Sequence, residues 1–161
     1  MAMFAALVIT TALLSGCGSS ASTKSQSIAK ANAICRNVSS QTTPLIKHLT
    51  TAAESLLSSG GRRASQEVTS ELQQLHTTAN RTLEKLRALQ PSASHSDIAQ
   101  FLTPFATVTE ALGRAAKVAA AGQAQTALLD VEAVASDSQR MTKAAKAEGL
   151  TACENALAAV P

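Results

Sequence analysis

The stretch SQEVTSELQQLHTTANRTLEKLRAL, residues 65–89, carries apolar residues at intervals of three and four. That spacing places them on one face of an α-helix, whereas a half-buried strand would alternate apolar and polar residues. The face consists of Val68, Leu72, Leu75, Ala79, Leu83, Leu86 and Leu89. Glu67 and Glu71 stand early in the segment, where the helix dipole favours acidic side chains, and Pro91 follows its end. We therefore predict an amphipathic helix over residues 65–89.

Three further segments repeat this pattern on either side, and they predict helices over residues 25–57, 97–121 and 123–148. Gly60 and Gly61 end the first helix, and Gly122 separates the last two. Gly149 followed by the apolar Leu150 predicts a Schellman stop after the fourth helix. The predicted inward faces of these three helices are Ile28, Ala31, Cys35, Val38, Thr42, Leu45, Leu49, Ala52 and Leu56; Ile98, Phe101, Phe105, Val108, Leu112, Ala115 and Ala119; and Leu128, Val131, Ala135, Met141 and Ala145.

Length and composition indicate one all-α domain over residues 25–161. The chain has 161 residues, three Phe, no Tyr and no Trp, and its Val and Ile residues do not form alternating runs. Four helices joined by short turns bury their apolar faces most simply as an up-down-up-down four-helix bundle, with residues 151–161 as a short tail. The alternative is a five-helix array, in which the first helix splits at Pro44 because an interior proline removes a backbone hydrogen bond.

The N-terminal segment predicts export and lipidation. Residues 1–16 contain no charge, are apolar from Phe4 to Leu14, and lead through Ser15 and Gly16 to Cys17. The order Leu, small, small, Cys resembles the lipobox of bacterial lipoproteins. The resemblance implies that residues 1–16 are removed and that Cys17 is acylated, which would anchor the chain at the outer face of the cell membrane. An ordinary secretory signal, with Cys17 as a free thiol, is the alternative.

Residues 17–24 comprise the lipidated Cys17 and a Ser-rich stretch, which we predict to be a flexible tether. Beyond it, Ile34 and Cys35, the closing residues 88–91, and the group Gly149, Leu150 and Cys153 are similar to those of small helical lipoproteins common in actinobacteria. The resemblance implies architecture and location and brings no activity with it.

A disulfide between Cys35 and Cys153 is predicted from the cysteine count and from topology. Once Cys17 is used for lipid, two of the three cysteines remain, and an oxidising compartment favours their pairing. An even number of antiparallel helices also returns the chain to the end where it began. The bridge would therefore join the first helix to the C-terminal tail, and the alternative is two independent buried thiols.

The sequence predicts contacts with other molecules and no catalysis. No nucleophile or phosphate-loop motif is present, the basic residues behind the net charge of +3 are scattered, and His48, His76 and His95 lack metal-binding spacing. We expect no enzyme, cofactor, metal or nucleic acid, and we expect an unidentified envelope protein as partner. The alternative function is binding of a small apolar or lipid-like ligand in the bundle core, at a pocket lined by Leu45, Leu49, Phe101 and Phe105 beside two interior prolines.

Overall fold

A computed structural model of the chain describes residues 19–89, 98–132 and 135–158, and within these ranges every regular element is a helix. The first three helices are α1 (Ser19–Ser59), α2 (Arg62–Arg87) and α3 (Ala99–Ala120). They are followed by α4 (Ala124–Glu132), α5 (Ala135–Ala147) and α6 (Thr151–Ala158). The all-α prediction is confirmed. The predicted signal residues 1–16, Cys17, His95 and the predicted start of the third helix at Asp97 lie outside the described residues.

The observed helices differ from the predicted ones at both ends of the domain and in the fourth predicted helix, residues 123–148, which is observed as α4 and α5 with residues 133–134 outside the described ranges. α1 begins at Ser19, so part of the stretch predicted to be a flexible tether is helical. α1 also continues through Pro44, which contradicts the alternative five-helix array. Residues 151–158, predicted to be part of a tail, form α6, because Leu150 and Cys153 are buried and draw the segment onto the other helices.

Glycine-containing turns end the helices where the sequence predicts. Gly149 has a φ of 75°, and the amide of Leu150 donates to the carbonyl of Ala145 over 2.8 Å. This is the bond that defines a Schellman stop, and the buried Leu150 supplies its apolar contact. Gly122, with a φ of 85°, ends α3 in the same way. Positive φ favours glycine at both positions because a side chain would be strained there.

The packing order follows the chain and then closes on itself. α1 packs along α2, α2 along α3, and α3 along both α4 and α5. The last helix, α6, packs against α5 and against α1. α3 is therefore the most enclosed element, and its buried residues, from Phe101 through Ala111 and Gly113 to Ala119, lie on more than one face of the helix.

The core divides into two clusters of buried residues, one towards each end of the molecule. The disulfide cluster consists of Ala31, Cys35, Ala79, Leu83, Leu86, Ile98, Phe101, Leu102, Phe105, Met141, Ala145, Leu150 and Cys153. The alanine-rich cluster consists of Leu49, Ala52, Leu56, Ala64, Val68, Leu72, Leu75, Ala115, Ala116, Ala119, Ala124 and Ala127. Both clusters take residues from α1, α2 and α3, because these long helices run the full distance between them. The predicted inward faces of the first three helices are buried or half-buried throughout, as the periodicity indicated.

Candidate functional site

The junction between α1 and α6 contains the predicted disulfide. Cys35 and Cys153 are bonded, with their Cα atoms 5.0 Å apart and 118 residues between them in the sequence. Both residues are buried within the disulfide cluster. The prediction of a Cys35–Cys153 bridge is confirmed, and its C-terminal partner lies on a helix instead of a tail.

Asn32, one turn before Cys35, fixes the start of α6 by two hydrogen bonds. Its Oδ1 accepts from the amide of Ala152 over 2.8 Å, and its Nδ2 donates to the carbonyl of Gly149 over 3.2 Å. The first amides of a helix have no partner within their own helix, so the Asn32 side chain satisfies one of them from outside. Sequence reasoning missed this contact because an asparagine on an amphipathic helix carries no signal of a partner more than 100 residues away.

His48 and His76 contact neighbouring helices, one at the α1–α2 contact and the other at the α2–α3 contact. His48 of α1 places Nδ1 3.8 Å from Oε1 of Glu71, a carboxylate whose side chain is largely buried. His76 packs against α3 at Gly113, where a Cβ atom would come within 2.8 Å of its Nε2. His48 and His76 are therefore not brought together. Among the described residues, His, Cys, Asp and Glu side chains form no group of three that could hold a metal ion.

The four residues predicted to line an apolar pocket are divided between the two clusters. Phe101 and Phe105 lie in the disulfide cluster, where their rings stack with centroids 5.6 Å apart. Leu49 belongs to the alanine-rich cluster, and Leu45 packs against that cluster. The reason is that Leu45 and Leu49 lie on the half of α1 that joins the alanine-rich cluster, whereas Phe101 and Phe105 lie on the half of α3 that joins the disulfide cluster, so the two pairs stand at different heights in the molecule.

An open groove runs along the outer side of the α1–α2 pair and encloses about 460 Å³. Two residues of α1 and six of α2 line it: Gln41, Leu45, Ser70, Gln73, Gln74, Thr77, Thr78 and Arg81. On α1 the groove lies at Pro44, which stands between the two lining residues and cannot donate a backbone hydrogen bond.

The lining of the groove combines amide and hydroxyl groups with one cation. Gln41 uses Nε2 to donate to Oδ1 of Asn37, and Gln74 uses Nε2 to donate to the hydroxyl of Ser70. Each amide group can form about four hydrogen bonds, so both glutamines keep donor and acceptor capacity towards the groove. Arg81 is exposed and forms no ion pair within the part of the chain that the structure describes. The lining contains no acidic and no aromatic residue.

Known proteins provide no template for this groove. Comparisons with protein-family models, curated proteins and solved structures give no match to the chain. Within the described ranges, none of the helices combines the length and the apolar character needed to cross a bilayer.

Proposed function

We propose that the protein is a lipid-anchored module on the extracytoplasmic face of a bacterial cell membrane, where it acts through non-covalent contacts with an envelope protein. The observation that carries this proposal is the disulfide between Cys35 and Cys153. Structural disulfides form and persist in oxidising compartments and are rare in the bacterial cytosol. The third cysteine, Cys17, follows the apolar run of residues 4–14 after Ser15 and Gly16, and this order resembles the lipobox at which exported bacterial chains are lipidated.

The use of the polar residues supports a role without catalysis. His48 faces a carboxylate on the neighbouring helix, and the ring of His76 fills the space over Gly113. Thr82 and Thr109, which are buried, donate their hydroxyls to carbonyls one turn earlier in their own helices. The two histidines therefore contact neighbouring helices and the two threonines bond within their own helices, and this use of polar side chains supports action through contacts at the surface.

A bundle core that holds a small apolar ligand has less support. Its proposed lining divides between two clusters, with Phe101 in one and Leu49 in the other. A ligand that touched both would have to displace well-buried side chains. We therefore favour the surface over the core as the place of recognition.

The proposal includes an up-down-up-down arrangement in which α4 and α5 together form the fourth helical segment of the bundle. Two observations support it. Ala124 and Ala127 of α4 join the alanine-rich cluster, whereas Met141 and Ala145 of α5 join the disulfide cluster. Like α1, α2 and α3, the α4–α5 segment therefore contributes residues to both clusters. In this arrangement α6 is an added short helix that returns the chain to α1.

Metabolic labelling tests the anchor. The chain is expressed in a bacterium that processes lipoproteins and is supplied with an alkyne-tagged fatty acid. We expect label on the wild-type protein and none on Cys17→Ser, because the acyl group depends on that sulfur. Cys153→Ala is the matched control, since it also removes one cysteine and should keep the label. Label that persists in Cys17→Ser, or a wild-type chain without label, would contradict the proposed anchoring.

A thiol measurement in intact cells tests the compartment. A membrane-permeant alkylating reagent is added before lysis, and the mass of the Cys35 and Cys153 peptides is compared with and without prior reduction. We expect both thiols to be blocked until reductant is added, since the bridge forms outside the cytosol. Alkylation of both cysteines without reductant would place the chain in a reducing compartment and overturn the assignment.

A further inference from the structure

We infer that the groove between α1 and α2 binds an extended peptide segment that carries a carboxylate, presented by the partner protein. This inference rests on the proposed role in protein contacts and names the chemistry of the partner. The groove is an open depression of about 460 Å³, and a partner can enter it without displacing core side chains.

The length of the groove fits a short extended peptide. Its lining on α2 extends from Ser70 to Arg81. At a rise of about 1.5 Å per residue, these two positions lie about 16 Å apart along the helix axis. An extended chain covers about 3.3 Å per residue, so about five residues of a partner would occupy the groove.

The lining favours a peptide over a sugar. Gln41, Gln73 and Gln74 carry primary amides, which donate and accept together and so match the N–H and C=O groups of a peptide backbone. An extended segment needs such partners because neither of its backbone edges is satisfied within its own chain. Aromatic side chains, the usual platforms for the apolar face of a sugar ring, are absent from the lining.

Leu45 is the one apolar residue in the lining of the groove. It is half-buried and packs against the alanine-rich cluster, so its position is fixed by the core. Residue side chains alternate in direction along an extended peptide, so one of them would rest on Leu45 while its neighbours face solvent.

The charge of the groove specifies a carboxylate on the partner. Arg81 is the one charged residue in the lining, and it forms no ion pair with a described residue of this chain. A guanidinium binds a carboxylate through two parallel hydrogen bonds, which gives both charge and geometric selectivity. Two acidic residues flank the groove outside its lining: Glu71, next to Ser70, faces His48 over 3.8 Å, and Glu84, one turn beyond Arg81, accepts a hydrogen bond from Asn80. A carboxylate in the groove would therefore not meet a like charge within the lining itself.

Selection from defined peptide pools tests the inference. Purified full-length chain is immobilised and exposed to N-acetylated, C-amidated pentapeptides that are random except for one fixed Glu, and separately to pools with Gln in its place. We expect the Glu pools to be enriched. Binders identified by mass spectrometry are resynthesised with a fluorophore, and their affinity is measured by fluorescence anisotropy.

Three variants assign the binding to the groove. We expect Arg81→Gln to weaken the affinity of selected peptides about three- to tenfold, because it removes a charge-assisted contact, and Gln74→Ala to weaken it about threefold. Arg114→Gln, which alters an exposed arginine on α3, is the matched control and should leave the affinity unchanged. Circular dichroism confirms that each variant folds.

Several outcomes would overturn the inference. These are equal enrichment of the Glu and Gln pools, no enrichment from either, or an affinity that Arg81→Gln leaves unchanged. Binding of chitotetraose that is lost in Gln74→Ala would assign the groove to sugars. Self-association in sedimentation that Arg81→Gln abolishes would assign it to a second copy of this chain. None of these results bears on lipidation, whereas an unlabelled Cys17 with intact peptide binding would contradict the proposed anchoring alone.

Discussion

Removal of the Cys35–Cys153 bridge should cost this domain a large part of its stability. The two cysteines are 118 residues apart, and in the chain-entropy model a loop of that length restricts the unfolded chain by about 5 kcal/mol. Small domains are stable by about 5–15 kcal/mol in total, and this core consists largely of alanine and leucine. The double variant Cys35→Ala/Cys153→Ala should therefore remain folded only marginally. Alanine is the appropriate replacement because both positions are buried and a hydroxyl there would lack a partner.

Urea unfolding followed by circular dichroism measures the effect. With a slope of about 2 kcal/mol per molar urea, a loss of about 5 kcal/mol lowers the unfolding midpoint by about 2.5 M. Reductant should lower the midpoint of the wild-type chain similarly and should leave that of the double variant unchanged, which makes the variant its own control. Amide exchange should increase most in α6, because the variant removes its covalent link to α1 and leaves the Asn32 hydrogen bonds to hold it there.

If the double variant lowers the free energy of unfolding by less than about 2 kcal/mol, this reasoning is refuted. Such a result would show that the unfolded chain is already compact or that the packing of α6 on α5 holds the segment without the bridge. An effect of reductant on the double variant would show that a group other than the Cys35–Cys153 pair is responsible.

Three further predictions concern single positions, and thermal and urea unfolding check each. Gly113→Ala should destabilise the protein by about 1–3 kcal/mol, because its Cβ would lie 2.8 Å from Nε2 of His76, and this clash outweighs the helix preference of alanine. Adding His76→Ala should restore part of the lost stability. A Gly113→Ala variant more stable than the wild type would contradict the close approach. Asn32→Ala should lower the free energy of unfolding by about 1–2 kcal/mol and increase amide exchange at the start of α6. The control Asn37→Ala alters an exposed contact within α1 and should lower that free energy by about a few tenths of a kcal/mol. Equal effects of the two variants would argue against the role of Asn32. Pro44→Ala should stabilise the protein by up to about 3 kcal/mol, because it restores a backbone hydrogen-bond donor inside the continuous helix α1. An unchanged unfolding midpoint would show that α1 already accommodates the proline.

Much of the fold could be predicted from local signals. The spacing of Val68, Leu72 and Leu75 marks one face of a helix whatever its neighbours are, and all three are buried. Gly149 followed by Leu150 signals a Schellman stop by itself. The prediction of a tail at residues 151–158 was wrong. This short segment has little periodicity, and it is helical because Leu150 and Cys153 are buried in the core.

The candidate site could not be predicted, because it depends on which helices become neighbours. Gln73, Gln74 and Arg81 lie on the polar face of α2, where solvated residues are expected in any amphipathic helix. They line a groove only because α1 packs beside that face and brings Gln41 opposite them. The predicted apolar pocket required Leu45 and Leu49 to lie at the height of Phe101 and Phe105, and the structure divides these two pairs between the two clusters.

The amino-acid sequence by itself determined the all-α class, the inward face of each long helix and the pairing of Cys35 with Cys153. The first two features follow from periodicity within a helix, and the pairing follows from the two cysteines that remain once Cys17 is set aside, together with the antiparallel course of the helices. The tertiary structure alone decided the division of the core into two clusters, the docking of α6 through Asn32 and the groove beside Leu45. Each of these depends on the order and relative height of packed helices, and side-chain packing across the whole domain sets both.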